Sequence, residues 1–294
     1  MESISVSCVI PTHRRSEFLA EAIRSVVAQS TPPREITVVS DCIDPESREV
    51  CESFSNVVYI EYEDAPRGAS SSRNRGAAAS TGDFIAFLDD DDIWEPSYLS
   101  TALSKLHDEG SDLVVTWMLE FSGEQTRPGG SMTLGLRAED VLAINPGATG
   151  SNIVIRRSVV DLVGGFDVKL PVKNDTDFLA RVMRAGSKYS IVEERLVKQR
   201  KHDRGQLTAV DETRARGTEA YLRKHLAYLS RSDIRLLKQS IHRIRSRSAP
   251  SPLSRGYHLV RVALYYPPRD LYNKLKVGRD RSQFAVKSFA SNKG

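Results

Sequence analysis

Four consecutive aspartates, Asp89 to Asp92, follow directly on the apolar run 84–88. A short, continuous apolar run is typical of a buried strand, and an open α/β sheet places its ligand site at the carboxyl ends of its strands. Like charges at this density repel one another, so we expect a cation among them. Carboxylate oxygens suit Mg²⁺ or Mn²⁺, which would bridge phosphate oxygens of a substrate. The alternative is a solvated acidic turn before a helix that starts near Glu95, with Asp92 as its cap.

Strand-like and helix-like segments alternate before the aspartates. The pattern predicts strands at 5–10, 35–39, 57–62 and 84–88, with helices at 16–29, 44–54 and 68–79 between them. Strands separated by helices of this length form βαβ units, so the predicted fold class is α/β with a largely parallel sheet. Beyond the aspartates the pattern predicts helices at 95–107, 138–144 and 176–185, strands at 113–121, 152–156, 189–192 and 196–200, and a loop at 123–135.

The length of 294 residues is enough for one large α/β domain with an appendage. Three cysteines, Cys8, Cys42 and Cys51, show no metal-ligand spacing, and their odd count argues against a disulfide framework. The sequence shows no basic n-region at its start, and no run approaches the roughly 18 apolar residues of a membrane span. We therefore expect a cytoplasmic protein that is neither exported by a classical signal nor integral to a membrane.

The formal charge of +4 hides a strong asymmetry along the chain. Residues 221–294 carry 17 Lys or Arg against 3 acids, a net charge of +14, so the remainder carries −10. A basic tail on an acidic body indicates an anionic neighbour, either phospholipid headgroups or nucleic acid, whereas the alternative is a solvated helical face. The amphipathic stretch 257–266 favours a membrane surface as this neighbour. Alternatively, its apolar side chains pack onto the rest of the protein or onto a second subunit.

Charged side chains follow three of the predicted strands, and parallel topology gathers strand ends at one edge of the sheet. Arg14 and Arg15 follow the first strand, Asp41 and Asp44 follow the second, and the four aspartates follow the fourth. Asp41 could accept a hydrogen bond from a base or ribose, and Arg14, Arg15 or Arg73 could neutralise a diphosphate. The alternatives are structural, with Asp44 as a helix cap and Arg15 as an exposed residue of the first helical turn.

A further acidic group, 175–177, opens the predicted helix 176–185 and follows the turn Gly164-Gly165-Phe166-Asp167. A helix N-terminus stabilises a carboxylate as an anion, which suits both a cap and a base that must stay ionised at neutral pH. The two interpretations are compatible, because Asp177 or Thr176 could cap the helix while Asp175 points into the site.

Five motifs occur in a characteristic order along roughly residues 5–205. They are 9–12 (Val-Ile-Pro-Thr), 25–29 (Ser-Val-Val-Ala-Gln), 72–76 (Ser-Arg-Asn-Arg-Gly), 79–92, which ends in the aspartates, and 164–167 (Gly-Gly-Phe-Asp). Together they resemble the family 2 glycosyltransferases of GT-A fold. The resemblance implies a GT-A type, mixed and mostly parallel sheet flanked by helices, with a nucleotide-sugar glycosyltransferase domain at 1–205 and a basic helical C-terminal region at 206–294. It also implies inverting transfer of a sugar from a nucleotide diphosphate donor, which we expect to be UDP-linked, to a glycan or lipid-linked acceptor in surface polysaccharide synthesis.

The resemblance also implies roles for individual residues. Asp91 matches the carboxylate that ligates the metal, Mn²⁺ or Mg²⁺, and His202 resembles a late histidine that approaches the metal or diphosphate. Asp175 matches the catalytic base, with Asn174 where Glu usually precedes that base. A further set stands where the family holds the nucleoside and ribose of the donor: Pro11, His13, Asp41, Arg73, Asp89 and Asp90.

Two other classes of function compete with a glycosyltransferase. A sugar-phosphate nucleotidyltransferase has similar topology and a carboxylate-bound metal, but it would want a Gly-rich loop after the first strand, where 11–15 contain no glycine. A protein whose tail binds nucleic acid leaves the strand-end acids unexplained, because these would repel phosphates without a metal. The partners expected are therefore a nucleotide-sugar donor, a glycan or lipid-linked acceptor and an anionic membrane surface along 221–294, with no nucleic acid. This places the protein in the cytoplasm, peripheral at the inner face of the cell membrane.

Overall fold

The computed structural model describes residues 4–201 and 211–266. The chain divides into two compact units, residues 1–202 and residues 203–294. The first unit is α/β, and the second is helical over its described residues.

The described part of the first unit contains nine strands: β1 (Val6–Thr12), β2 (Glu35–Ser40), β3 (Val57–Glu61), β4 (Phe84–Phe87), β5 (Ile93–Trp94), β6 (Leu113–Ser122), β7 (Gln125–Pro128), β8 (Ile153–Arg156) and β9 (Tyr189–Arg200). They form one sheet in the order β3-β2-β1-β4-β8-β6-β9-β5, with β7 paired to β6. Strands β3, β2, β1 and β4 run parallel, as do β6 and β9, while β8 is antiparallel to both β4 and β6. The sheet is therefore mixed and mostly parallel, as predicted.

Six helices accompany the described sheet: α1 (Ser16–Val27), α2 (Pro45–Glu52), α3 (Ala69–Ala79), α4 (Tyr98–Glu109), α5 (Arg157–Val163) and α6 (Asn174–Arg184). Local sequence explains their placement. In α1 the residues Leu19, Ile23 and Val26 recur on one face and are buried against the sheet. Helix α2 begins as predicted, because the Asp44 side chain accepts a hydrogen bond from the Ser47 N–H at 3.2 Å.

The crevice at the carboxyl edge opens where β1 and β4 part. The pairing of β1 with β4 ends at Val9 and Phe87, whereas its pairing with β2 continues to Thr12 and Ser40. Pro11 lies in this last part of β1, where its missing N–H costs no ladder bond to β4. Helix α1 connects β1 to β2 on one side, and α3 returns the chain from β3 to β4 on the other side, so the edge between β1 and β4 is the switch point of the parallel strands.

Several elements differ from those predicted. Residues 138–144 form turns rather than a helix, and β7 occupies part of the predicted loop 123–135. The two strands predicted at 189–192 and 196–200 are one strand, β9, whose register against β6 shifts near Trp117. Helix α5 was not predicted, because its valines favour a strand, yet Gly164 ends it in the left-handed conformation at φ 72°.

The second unit contains three helices among its described residues: α7 (Glu212–His225), α8 (Arg231–Arg247) and α9 (Pro252–Leu264). The apolar face of α8 is buried through Leu237, Ile241 and Ile244. None of the described helices is long and apolar enough to span a membrane.

Candidate active site

Side chains that follow β1, β2 and β4 meet at the carboxyl edge of these strands. The Nδ1 atom of His13 contacts Oδ1 of Asp41, and Oδ2 of Asp41 accepts a hydrogen bond from the Gly68 N–H at 2.8 Å. Between β1 and β4, the Thr12 hydroxyl donates to Asp90 Oδ2 at 2.8 Å. Three separate strand ends thus contribute polar atoms to one crevice.

Arg15 brings a positive charge into the acidic cluster. Its Nη1 atom lies 3.0 Å from both Asp90 Oδ1 and Asp91 Oδ2. The alternative that Arg15 is simply an exposed first-turn residue is wrong, because three quarters of its side chain is covered (25% exposed). Burial raises the pKa of Asp90 to about 6 even though the charge of Arg15 opposes the rise. Arg15 therefore supplies part of the positive charge that we expect among the aspartates.

Asp92 is a structural residue rather than a helix cap. Its Oδ2 accepts from the Ser151 hydroxyl at 2.6 Å, and its Oδ1 accepts from the backbone N–H of Arg200 at 3.0 Å. Burial and the neighbouring carboxylates raise the pKa of Asp92 well above its usual range. Helix α4 begins only at Tyr98, because Ile93 and Trp94 pair with β9 instead.

A buried guanidinium, that of Arg73 on α3, lies between two acidic groups. Its Nη2 contacts Asp89 Oδ1, and its Nη1 lies 3.5 Å from Asp175 Oδ1. Gly150 and the ring of Phe166 pack against the guanidinium, and a Cβ atom at Gly150 would lie only 2.7 Å from Nη2. Arg73 therefore links the end of β4 to the start of α6.

Asn74 and Phe166 hold Arg73 in place, and the sequence interpretation assigned neither a role. The amide of Asn74 donates to the Phe166 carbonyl at 2.8 Å and accepts from the Phe166 N–H at 2.7 Å. The Phe166 ring stacks on Phe178 at 4.2 Å between ring centroids and lies 5.0 Å from the Arg73 guanidinium carbon. The sequence offered one signal for this pair, since Asn74 lies in the motif 72–76 and Phe166 lies in the motif 164–167. In the structure the Asn74 side chain binds the Phe166 backbone.

Asp175 lies in the first turn of α6, beside Arg73. Burial raises its pKa to about 6, Arg73 acts against the rise, and Asp89 adds to it. Its neighbour Asn174 accepts from the Asp175 N–H at 2.9 Å and donates to the Ser70 hydroxyl at 2.9 Å. Asp177, in contrast, is fully buried and lies 2.8 Å from the Arg181 guanidinium. Asp175 is thus the carboxylate of this group that reaches the crevice.

The chemistry of Asp91 fits a hard divalent cation, because its carboxylate stays partly exposed at the mouth of the crevice (13%). His202, the other predicted ligand, lies outside the described residues. Among the described residues, His13, Asp41 and Cys42 could also offer metal ligands, with ligand atoms within 4.8 Å of one another. A thiol favours softer metals than Mg²⁺ or Mn²⁺, so Asp91 is the better match for the predicted ion.

A family description, glycosyl transferase family 2, matches residues 7–164, which is more than half of the chain. The chain belongs to glycosyl transferase family 2. The predicted family is confirmed, and it is a family of glycosyl transferases. The α/β class with a GT-A-like, mostly parallel sheet is confirmed by the structure together with its similarity to solved structures.

Individual relatives and solved structures support this assignment. A glucosyl-dolichyl phosphate glucuronosyltransferase of Haloferax volcanii is 31% identical over 188 residues, which are 58% of this chain and 59% of the relative. The chain thus spans about six tenths of that relative. An uncharacterised glycosyltransferase of Haemophilus influenzae is 25% identical over 228 residues, 75% of this chain and 76% of its own. The crystal structure of S. aureus TarS 1–349 in complex with UDP-GlcNAc has a TM-score of 0.63 at 16% identity, covering 94% of this chain and 92% of that one, and shows the fold.

Proposed function

We propose that the protein is an inverting, metal-dependent glycosyltransferase that moves a sugar from a nucleotide diphosphate donor to an acceptor hydroxyl. The observation that carries the proposal is the position of Arg73, whose guanidinium contacts Asp89 at the end of β4 and lies 3.5 Å from Asp175. A single displacement at the anomeric carbon needs a base on one face and positive charge beside the leaving diphosphate on the other. These residues offer both within one crevice.

Asp175 is the proposed base. Its pKa of about 6 leaves it ionised at neutral pH while keeping it basic enough to take the proton of an acceptor hydroxyl. Its Oδ1 is buried 3.5 Å from Arg73 Nη1, whereas 23% of the side chain is exposed, and this exposed part would meet the acceptor. Only one carboxylate base is needed, because a single displacement forms no covalent glycosyl intermediate.

The donor would lie across the ends of β1, β2 and β4. The nucleoside and ribose would be held by the predicted set Pro11, His13, Asp41, Arg73, Asp89 and Asp90. Asp91 would hold Mn²⁺ or Mg²⁺, with His202 as a second ligand. When bound, the metal would stabilise the negative charge that develops on the departing diphosphate. Arg15 and Arg73 would add fixed positive charge at the same place.

We further propose a UDP-linked donor and a glycan or lipid-linked acceptor in surface polysaccharide synthesis. The donor is supported by the solved TarS structure with UDP-GlcNAc, and a lipid-linked acceptor by the dolichyl phosphate in the name of the Haloferax relative. Such an acceptor would lie in a membrane. The net charge of +14 over 221–294 supports a cytoplasmic enzyme peripheral at the inner membrane face.

A screen of nucleotide sugars for metal-dependent donor hydrolysis tests the proposal, with Asp91→Ala and Asp175→Asn as companions. We expect Mn²⁺-dependent release of UDP by the wild type and its loss in Asp91→Ala. Release that is unaffected by both chelation and Asp91→Ala would refute metal-dependent transfer. Synthesis of a nucleotide sugar from a nucleoside triphosphate and a sugar phosphate would instead favour the nucleotidyltransferase. Thermal stabilisation by single-stranded nucleic acid, without stabilisation by UDP and Mn²⁺, would favour neither enzyme.

A further inference from the structure

Helices α7, α8 and α9 line a half-open cavity of about 190 Å³ within the second unit. An apolar cavity of about 150 Å³ holds a benzene ring, so this one has room for a phosphate group. Its apolar wall is formed by Leu222 and Ile241. Its polar lining consists of Glu219, Lys238, His242, Arg261 and Tyr265.

The cavity is electrostatically positive. The acid in its wall is already neutralised, because both oxygens of Glu219 accept hydrogen bonds from Arg245, at 2.7 and 3.0 Å. Lys238 and Arg261 contribute two further positive charges to the lining. The pKa of His242 is lowered to about 4, first by burial and then by its neighbours His258, Arg261 and Arg245, with Glu219 opposing. This lining would stabilise an anion in the cavity and would repel a cation.

One guanidinium nitrogen in the wall lacks an acceptor. Nη2 of Arg261 donates to the Tyr265 hydroxyl at 3.0 Å, but its buried Nε has no hydrogen-bond partner among the described residues. The donor capacity of Arg261 is therefore not fully used within the described residues.

Among the described residues, one side of α9 carries an exposed apolar stripe. Leu253, Tyr257, Val260 and Leu264 recur at helical spacing and are 86%, 57%, 59% and 70% exposed. None of the residues of α9 is buried. Arg261 directly follows Val260 in the helix, so the face of α9 that lines the cavity is adjacent to the face that carries the stripe. A soluble anion would leave this stripe without a role, and so would a nucleic acid.

We propose that the helical unit binds the phosphate headgroup of an anionic membrane lipid in the α7–α9 cavity, with the stripe of α9 against the lipid chains. The neighbouring surface is suited to such a membrane, because α8 carries six Lys or Arg against one acid and α9 carries no acid. This inference rests on the proposed membrane location of the enzyme and names the contact that would establish it.

Co-sedimentation of the full chain with vesicles tests the inference. Phosphatidylcholine vesicles are compared with vesicles that also contain phosphatidylglycerol. Arg261→Gln removes a cavity charge, whereas Arg255→Gln removes an exposed charge from the same helix, on the side away from the stripe. We expect Arg261→Gln to weaken binding to anionic vesicles about fivefold, the factor for about 1 kcal/mol, and Arg255→Gln to weaken it less than about twofold. Equal losses in the two variants would overturn the headgroup site.

Two further experiments test the apolar stripe and the phosphate site separately. Val260→Ser changes an exposed side chain that the fold does not need, and it should weaken vesicle binding without lowering the melting temperature. Unchanged binding would overturn the role of the stripe. Soluble glycerol phosphate should displace the protein from vesicles. Equal pelleting with neutral vesicles, or displacement only by an oligonucleotide, would overturn the anionic lipid.

Donor hydrolysis in the absence of vesicles is measured on the same preparations. Loss of vesicle binding with intact hydrolysis would overturn the lipid site alone. Vesicle binding without hydrolysis of any nucleotide sugar would count against the transferase alone.

Discussion

Replacing Asp175 with asparagine tests the environment of the proposed base through stability as well as turnover. Burial raises the pKa of this carboxyl from 3.8 to about 6. A rise of about two pKa units corresponds to about 3 kcal/mol of preference for the neutral form in the folded state. Because 23% of the side chain is exposed, solvent screening reduces the expected cost to about 2–3 kcal/mol.

The pH dependence follows from the direction of the shift. The pKa in the folded state lies above the unfolded value, so its contribution to stability is present below about pH 4 and is lost as the pH rises through about 6. Asparagine keeps the shape without the charge, and Arg73 keeps its contact with Asp89. Metal-free Asp175→Asn should therefore be about 2–3 kcal/mol more stable than the wild type near pH 7.5, with the difference vanishing near pH 4.

Urea unfolding in the presence of a chelator, followed by tryptophan fluorescence, measures this difference. Both tryptophans, Trp94 and Trp117, lie in the first unit and report on it alone. Asp161→Asn is the matched control, since Asp161 is an exposed carboxylate on α5 and its loss should change stability by less than about 0.5 kcal/mol. A less stable Asp175→Asn protein at neutral pH, or a difference that does not change between about pH 4 and 7, would refute the burial argument.

The same variant should keep its affinity for the donor and lose turnover by a factor on the order of 10²–10⁴. Near-normal transfer would mean that the base lies elsewhere. Asp177 was the alternative in the sequence, but it is buried and paired with Arg181, so it is a poor substitute. Stability and turnover are thus expected to change in opposite directions.

The remaining predictions concern the metal and the framework of the site. Asp91→Ala should abolish Mn²⁺-dependent UDP binding in calorimetry, and unchanged affinity would remove Asp91 as the metal ligand. Arg15→Gln should strengthen binding of Mn²⁺ alone by up to about fivefold, measured by the paramagnetic resonance of free Mn²⁺, whereas Arg14→Gln should not; weaker binding in Arg15→Gln would contradict competition for Asp91. Gly165→Ala should lose about 2–4 kcal/mol of unfolding free energy, since φ is +66° and the new Cβ would lie 2.4 Å from Asn74 Oδ1; a stability equal to wild type would show that this contact is dispensable.

The meeting of the strand ends could be predicted because local pattern fixes strand direction. Alternating strands and helices require parallel strands, and parallel strands present their carboxyl ends at one edge. Asp41 and Asp90 therefore reach the same crevice from different strands without any knowledge of their partners. The Asp44 cap was predictable for the same reason, since its partner Ser47 lies three residues away.

The partners of the site residues could not be predicted, because they come from distant parts of the chain. Asp92 looks like a cap in the sequence, yet its two oxygens are taken by Ser151 and the backbone of Arg200. The hydrogen bonds between Asn74 and Phe166 join residues 92 positions apart. No periodicity encodes such pairs, and the motifs 72–76 and 164–167 indicate only that both ends matter.

The four aspartates are identical in the sequence but alternate in their environment. Asp90 and Asp92 are buried, whereas Asp89 and Asp91 are 30% and 13% exposed. Residues 90 and 91 form a turn in which the Asp92 N–H donates to the Asp89 carbonyl at 3.1 Å, and this turn directs the Asp90 and Asp92 side chains into the interior. The inward pair is held by hydrogen bonds, as with Ser151 and Asp92, and fixes the backbone. The outward pair, Asp89 and Asp91, faces the crevice, where the two carboxylates contact Arg73 and Arg15.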